Sequence, residues 1–233
     1  MYTNFRDALE LVTTELKATP EVKGILFFGS VQLGDPTHTS DLDLFAIVEG
    51  CETWNFRRLV EGIEVEVYFL PADLCHQNLE NGNITFVKAF ATGAALLDLN
   101  GKLAELAAFA KQIYDMGPSP LNLLEQGNWR IRLSDLIRDL EGISPEAPES
   151  HLLAPMLVTL SLEAYCAFHR LWTEKHSRLI KYVFNHNPQF GQSVIQFFKS
   201  PVFQPDQAIS IADNVLEPFG GRLLEYEGPH ISI

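Results

Sequence analysis

Basic residues are scarce in this chain: 17 Lys and Arg stand against 30 Asp and Glu in 233 residues, a formal net charge of -13. Sequence-independent grip on a nucleic-acid backbone comes from cations that displace phosphate counterions, so this balance argues against a nucleic-acid template and against a templated polymerase. The surplus acid would steer a cationic small molecule toward the protein, or simply keep it soluble. Cysteine is scarce too. The three present, Cys51, Cys75 and Cys166, are odd in number, far apart and without metal-ligand spacing, which excludes a disulfide framework and leaves free thiols in a reducing, cytoplasmic setting. No uninterrupted run of about 18 apolar residues offers a membrane span, and the N-terminus lacks a basic-then-apolar signal pattern. Internal repeats and low-complexity segments are missing as well. What remains is a folding composition, 46% hydrophobic and 11% aromatic, long enough for one large domain or two smaller ones.

The most informative stretch runs from residue 23 to residue 48. An apolar run, Ile25 to Phe28, stops at Gly29-Ser30, and a second opens at Asp41 and Asp43 and continues through Val48. Both read as short buried strands bounded by turn residues. Alternate side chains of a strand share a face, so Asp41 and Asp43 point together while Leu42 and Leu44 point away. Two carboxylates side by side at the mouth of a sheet stay charged at little cost only with a cation between them, which outlines a magnesium site. The Gly29-Ser30 turn adds a place where backbone can approach closely and N–H groups and a hydroxyl can cradle phosphate.

This conjunction resembles the nucleotidyltransferase superfamily, which includes DNA polymerase β and the antibiotic-modifying nucleotidyltransferases. The family pattern is an apolar strand, Gly-Ser, a loop, and Asp-x-Asp in a strand; here it stands as Gly29-Ser30, Gly34 and Ser40-Asp41-Leu42-Asp43. Where the family loop commonly carries a basic residue, this chain has Gln32-Leu33. The resemblance implies two magnesium ions held by Asp41, Asp43 and a third carboxylate, about 3.5 to 4 Å apart. It also implies ATP or another nucleoside triphosphate held at Gly29, Ser30 and Ser40.

Residues 4 to 17 have helical spacing and should pack on the sheet. Residues 53 to 61 read as a short helix on which Arg57 and Arg58 face phosphate or solvent. From Ile63 to Leu70 alternation puts Ile63, Val65, Val67 and Phe69 on one face and Glu64, Glu66, Tyr68 and Leu70 on the other. Either glutamate would serve as third ligand. Val65-Glu66-Val67 with Phe69 resembles the third-carboxylate strand of the kanamycin-type enzymes, which selects Glu66 and leaves Glu64 as the alternative. Two short helices over 72 to 92, split at Asn81-Gly82-Asn83, and a last strand over 94 to 99 complete the first domain, with its boundary at Gly101.

Beyond Gly101 the periods are helical, from 102 to 115, 121 to 142, 151 to 172, about 177 onward, 191 to 199 and 205 to 218. Glu163 interrupts the most apolar of these. It is read as paired with a residue such as Arg170, or as a general base of the kind the resemblance implies. Lys175, Arg178 and Lys181 form the most basic stretch and are candidates to bind the phosphates that lack a loop cation.

The expected fold is therefore α+β, a mixed nucleotidyltransferase sheet with flanking helices over residues 1–100, followed by an all-α bundle over 101–233. The expected reaction moves a nucleoside monophosphate, AMP from ATP, to a hydroxyl of a small molecule or protein. Asp41, Asp43 and Glu66 are its catalytic and metal-binding residues. The alternative implied by the resemblance is a nucleotide-binding or antitoxin-like protein that pairs with a helical partner or with itself.

Overall fold

The computed structural model describes residues 3–225, which divide into two compact units meeting at Gly117 and Pro118. In the first, α1 (Thr3–Lys17) precedes β1 (Val22–Phe28), β2 (Leu42–Val48), β3 (Trp54–Val60) and β4 (Ile63–Pro71). Then come α2 (Ala72–Glu80), α3 (Ile84–Thr92), β5 (Ala94–Asp98) and α4 (Lys102–Met116). The five strands form one mixed sheet in the order β3-β4-β2-β1-β5. β2 and β4 run parallel, and the other neighbours are antiparallel.

Each face of the sheet has its own partner. Ile25, Phe27, Leu42, Leu44, Val65 and Val67 are buried together with Phe5, Ala8, Val12 and Leu16, the apolar stripe of α1. On the opposite face Phe45 meets Phe86 and Phe90 of α3 at ring separations of 5.2 and 5.8 Å. α3 packs in turn on α4. Leu103, Leu106 and Ala110 of α4 are buried, so this helix belongs to the first unit, and the division falls after it rather than at Gly101.

The segment 53–61 is a strand, not a helix. β3 pairs antiparallel with β4 through a two-residue turn, Glu61-Gly62, in which both residues have positive φ (51° and 77°). That backbone twist suits a tight hairpin, and Trp54, Phe56 and Val60 favour a pleated surface. The change separates the two arginines. Arg58 reaches Glu15 of α1 and lies over the Phe56 ring, while Arg57 is on the other face.

The second unit is helical: α5 (Leu123–Glu141), α6 (Pro148–Phe168), α7 (His176–His186), α8 (Pro188–Lys199) and α9 (Pro205–Leu216). Asn122 and Glu125 close a reciprocal capping box at the start of α5, satisfying two of the N–H groups a helix start leaves open. Among the described residues, α6 is long and apolar enough to cross a membrane. No uninterrupted apolar run revealed it, because Ser, Thr and Glu163 are interspersed. In the structure its Leu157, Val158, Leu162 and Cys166 are buried against Leu133 and Ile137 of α5, Leu179 and Val183 of α7, and Ile211 of α9.

Candidate functional site

The strand register brings the acidic side chains together. Asp43 of β2 lies directly opposite Glu66 of β4, and Asp41, two residues earlier, shares its face. One carboxylate oxygen from each of Asp41, Asp43 and Glu66 lies within 4.8 Å of the others, and all three residues are half-buried. Glu64 is one pleat away. It pairs with Leu59 of β3 and takes no part in that group. The parallel pairing of β2 with β4 thus distinguishes the two glutamates that alternation alone left equivalent.

Gly29 seats Asp43. Its φ is +85°, in the left-handed region, and a Cβ added there would overlap Asp43 Oδ2 and lie 3.1 Å from Asp43 Cγ. The glycine is therefore needed twice, for the turn and for the close approach of backbone to carboxylate. Beyond it the chain coils tightly: the Leu33 N–H donates to the Gly29 carbonyl at 3.1 Å and the Asp35 N–H to the Ser30 carbonyl at 3.1 Å. Ser30 Oγ donates to Ser40 Oγ at 3.0 Å, and Ser40 Oγ also accepts from the Thr37 N–H at 2.8 Å. The two serines thus tie the start of this loop to the approach to Asp41. Gln32 keeps Oε1 enclosed without a hydrogen-bond partner.

Two neighbours hold Glu66. Tyr68 Oη donates to its Oε1 at 2.8 Å and Arg57 Nη2 to its Oε2 at 3.2 Å. The Glu66 hydrogen bond, with burial as the second cause, holds the Tyr68 hydroxyl above the ordinary tyrosine range, so it stays a donor. The same carboxylate, followed by Glu64, raises Arg57 above its usual value. Beside them Phe45 packs on Phe28 at 4.4 Å and meets the edge of Tyr68 at 6.1 Å, an aromatic floor next to the acidic group.

The remaining candidates lie in the second unit and share none of these elements. Lys175 is the residue before α7, with extended backbone, and Arg178 and Lys181 are within that helix. Glu163 pairs with His176 Nε2 at 2.8 Å and is about one-third exposed, so it has a structural partner that the sequence did not single out. Tyr68 was also missed as a contributor, although the alternation Glu64, Glu66, Tyr68 already put it on the acidic face.

Chemically, three carboxylates that converge on an open face are hard oxygen donors of the kind magnesium and manganese take. The donor set, with Asp43 seated against the Gly29 backbone, fits such an ion. No protein-family model matches the chain, and no curated protein resembles it in sequence. Among solved structures, a nucleotidyltransferase-like protein from Exiguobacterium sibiricum is similar at 15% identity and a TM-score of 0.49, over 92% of this chain and 75% of that one. A likeness at that level says nothing of what this chain binds or does.

Proposed function

We propose that the protein is a nucleotidyltransferase that moves a nucleoside monophosphate, AMP from ATP, to a hydroxyl of a small molecule or protein and releases pyrophosphate. The observation that carries this reading is the convergence of Asp41, Asp43 and Glu66 beside the Gly29 turn, in the motif spacing of that superfamily. In the reaction the acceptor oxygen bonds to the α-phosphorus, the bond from that phosphorus to the bridging oxygen of the β-phosphate breaks, and pyrophosphate leaves. Divalent cations held by Asp41, Asp43 and Glu66 would supply positive charge to the phosphoryl oxygens and acidify the acceptor hydroxyl. Glu66, fixed by Tyr68, would complete the acceptor-side cation site or take the acceptor's proton. Ser30 and the backbone of the Gly29 turn would hold the β- and γ-phosphates as charge develops on the leaving group. Free, widely spaced thiols support a cytoplasmic setting for this chemistry.

The test is incubation with labelled ATP, magnesium and a panel of hydroxyl acceptors, scored by mass. The wild type should form an AMP-acceptor adduct. Asp43→Asn, which keeps the shape and removes one charge, should lose transfer by about 100-fold or more while melting at the wild-type temperature without metal. Full transfer by Asp43→Asn would overturn the assignment. A second reading, a nucleotide-binding partner protein with little turnover, is favoured by Gln32 in the place of the basic loop residue. Recovery in a stable complex with another protein, without adduct formation on any acceptor, would select it.

A further inference from the structure

The acidic group does not stand alone on its face of the sheet. Register aligns Phe28 of β1, Asp43 of β2, Glu66 of β4 and Arg57 of β3 in one row across four adjacent strands. The row ends in a cation at the edge strand. Arg57 makes two single contacts, Nη2 to Glu66 Oε2 at 3.2 Å and Nε to Glu64 Oε1 at 3.3 Å. Both are longer than a charge-assisted hydrogen bond prefers, and neither is the paired fork by which Arg grips one carboxylate firmly. The Glu66 side chain is only 14% exposed while that of Arg57 is 56% exposed, so the contact joins a mostly covered carboxylate to a guanidinium that reaches solvent.

We infer that Arg57 is a built-in counterion of the acidic row that gives up Glu66 when a divalent cation enters, and then takes the polyphosphate of the nucleotide. The inference rests on the nucleotidyl-transfer reading above and adds to it the residue that couples cation to nucleotide. The Glu66 carboxylate cannot serve Arg57 and a dication equally well, because the two positive groups would be held against each other. Glu64, outside the metal-binding group, keeps hold of the Arg57 Nε and so tethers the displaced guanidinium at the rim. There a triphosphate offers it oxygens in place of those it lost, with the planar donor geometry that suits phosphate. This also supplies the cation that Gln32-Leu33 fails to provide in the loop. A cation alone must therefore displace Arg57 for nothing in return, whereas a cation arriving with nucleotide gives Arg57 a new partner. Affinity for each should depend on the other, as linkage requires.

Calorimetric titration of manganese into the 233-residue chain, alone and with a nonhydrolysable ATP analogue, tests this for wild type, Arg57→Gln, Arg57→Lys and Asp43→Asn. Arg57→Gln should bind manganese alone about threefold or more tighter, since the competing charge is gone. It should also lose the analogue's enhancement of manganese affinity by about fivefold or more. Arg57→Lys, which keeps the charge, should stay near wild type in manganese alone. If Arg57→Gln binds manganese alone no tighter than wild type, Arg57 merely props Glu66 and the inference is overturned. If it binds tighter but the analogue enhances its affinity as much as in wild type, the exchange onto phosphate is overturned. Wild-type manganese affinity in Asp43→Asn would instead overturn the metal assignment itself, which separates the two failures.

Discussion

Gly29 and Gly34 lie in the same loop, both with positive φ, 85° and 74°, yet their surroundings differ. A Cβ at Gly29 would run into the Asp43 carboxylate, whereas one at Gly34 meets nothing within 4 Å. Alanine at either position pays the left-handed backbone cost of about 1–2 kcal/mol, so the two substitutions should lower the melting temperature by similar amounts. Only Gly29→Ala should also cost metal affinity. The group nearest the added Cβ is the Asp43 carboxylate, and yielding swings it away from Asp41 and Glu66. Manganese titration of the two variants checks this: equal affinity in both would mean that Gly29 serves the turn alone. The comparison shows why the Gly-Ser pair and the aspartates form one unit rather than two neighbouring motifs.

Helix contacts in the second unit pose a similar contest between propensity and space. Gly191 in α8 sits against α7, where an added Cβ would be 2.7 Å from Phe184 Cβ and 2.9 Å from Phe184 N. Propensity alone favours alanine over glycine in a helix by about 1 kcal/mol. Overpacking against a backbone that cannot turn aside costs about 1–3 kcal/mol, so Gly191→Ala should destabilise the helical unit. A thermal melt reads the sign directly, and a raised melting temperature would mean that α7 and α8 separate easily. Such contacts are invisible in sequence, as is the register of β3. α1, β4 and the helices from α2 onward were legible because one buried face imposes one period, and β1 and β2, buried along nearly their whole length, were legible as short apolar runs bounded by turn residues. β3 was not, because it is an edge strand exposed along most of its length. Trp54, Phe56, Leu59 and Val60 then show neither strict alternation nor a helical stripe. The site divides in the same way. Asp41 and Asp43 follow from a period of two within one strand, whereas the choice of Glu66 over Glu64 and the position of Arg57 depend on cross-strand pairing that no local pattern encodes.

For the molecule as a whole, the Gly117-Pro118-Ser119-Pro120 break and the Gly101 turn both look like boundaries in sequence, and they imply different folding units. α4 lies between them. Its Leu103 and Leu106 are 1% and 4% exposed and face a unit that also buries Leu79, Val87 and Phe90. Burying two leucines contributes about 3–6 kcal/mol, a large share of the roughly 5–15 kcal/mol by which a domain is stable. Asp98 also accepts from the Leu103 and Ala104 N–H groups at 3.4 and 2.9 Å, fixing the start of α4 to the end of β5. A fragment of residues 1–117 should therefore melt cooperatively and retain the manganese affinity of the full chain, since Asp41, Asp43, Glu66 and Arg57 all lie within it. A fragment ending at Gly101 should aggregate or melt without a transition, because it exposes the apolar surface of α2 and α3. Calorimetric melts of both fragments decide the matter, and a cooperative transition in the shorter one would return the boundary to Gly101 and make α4 part of the helical unit.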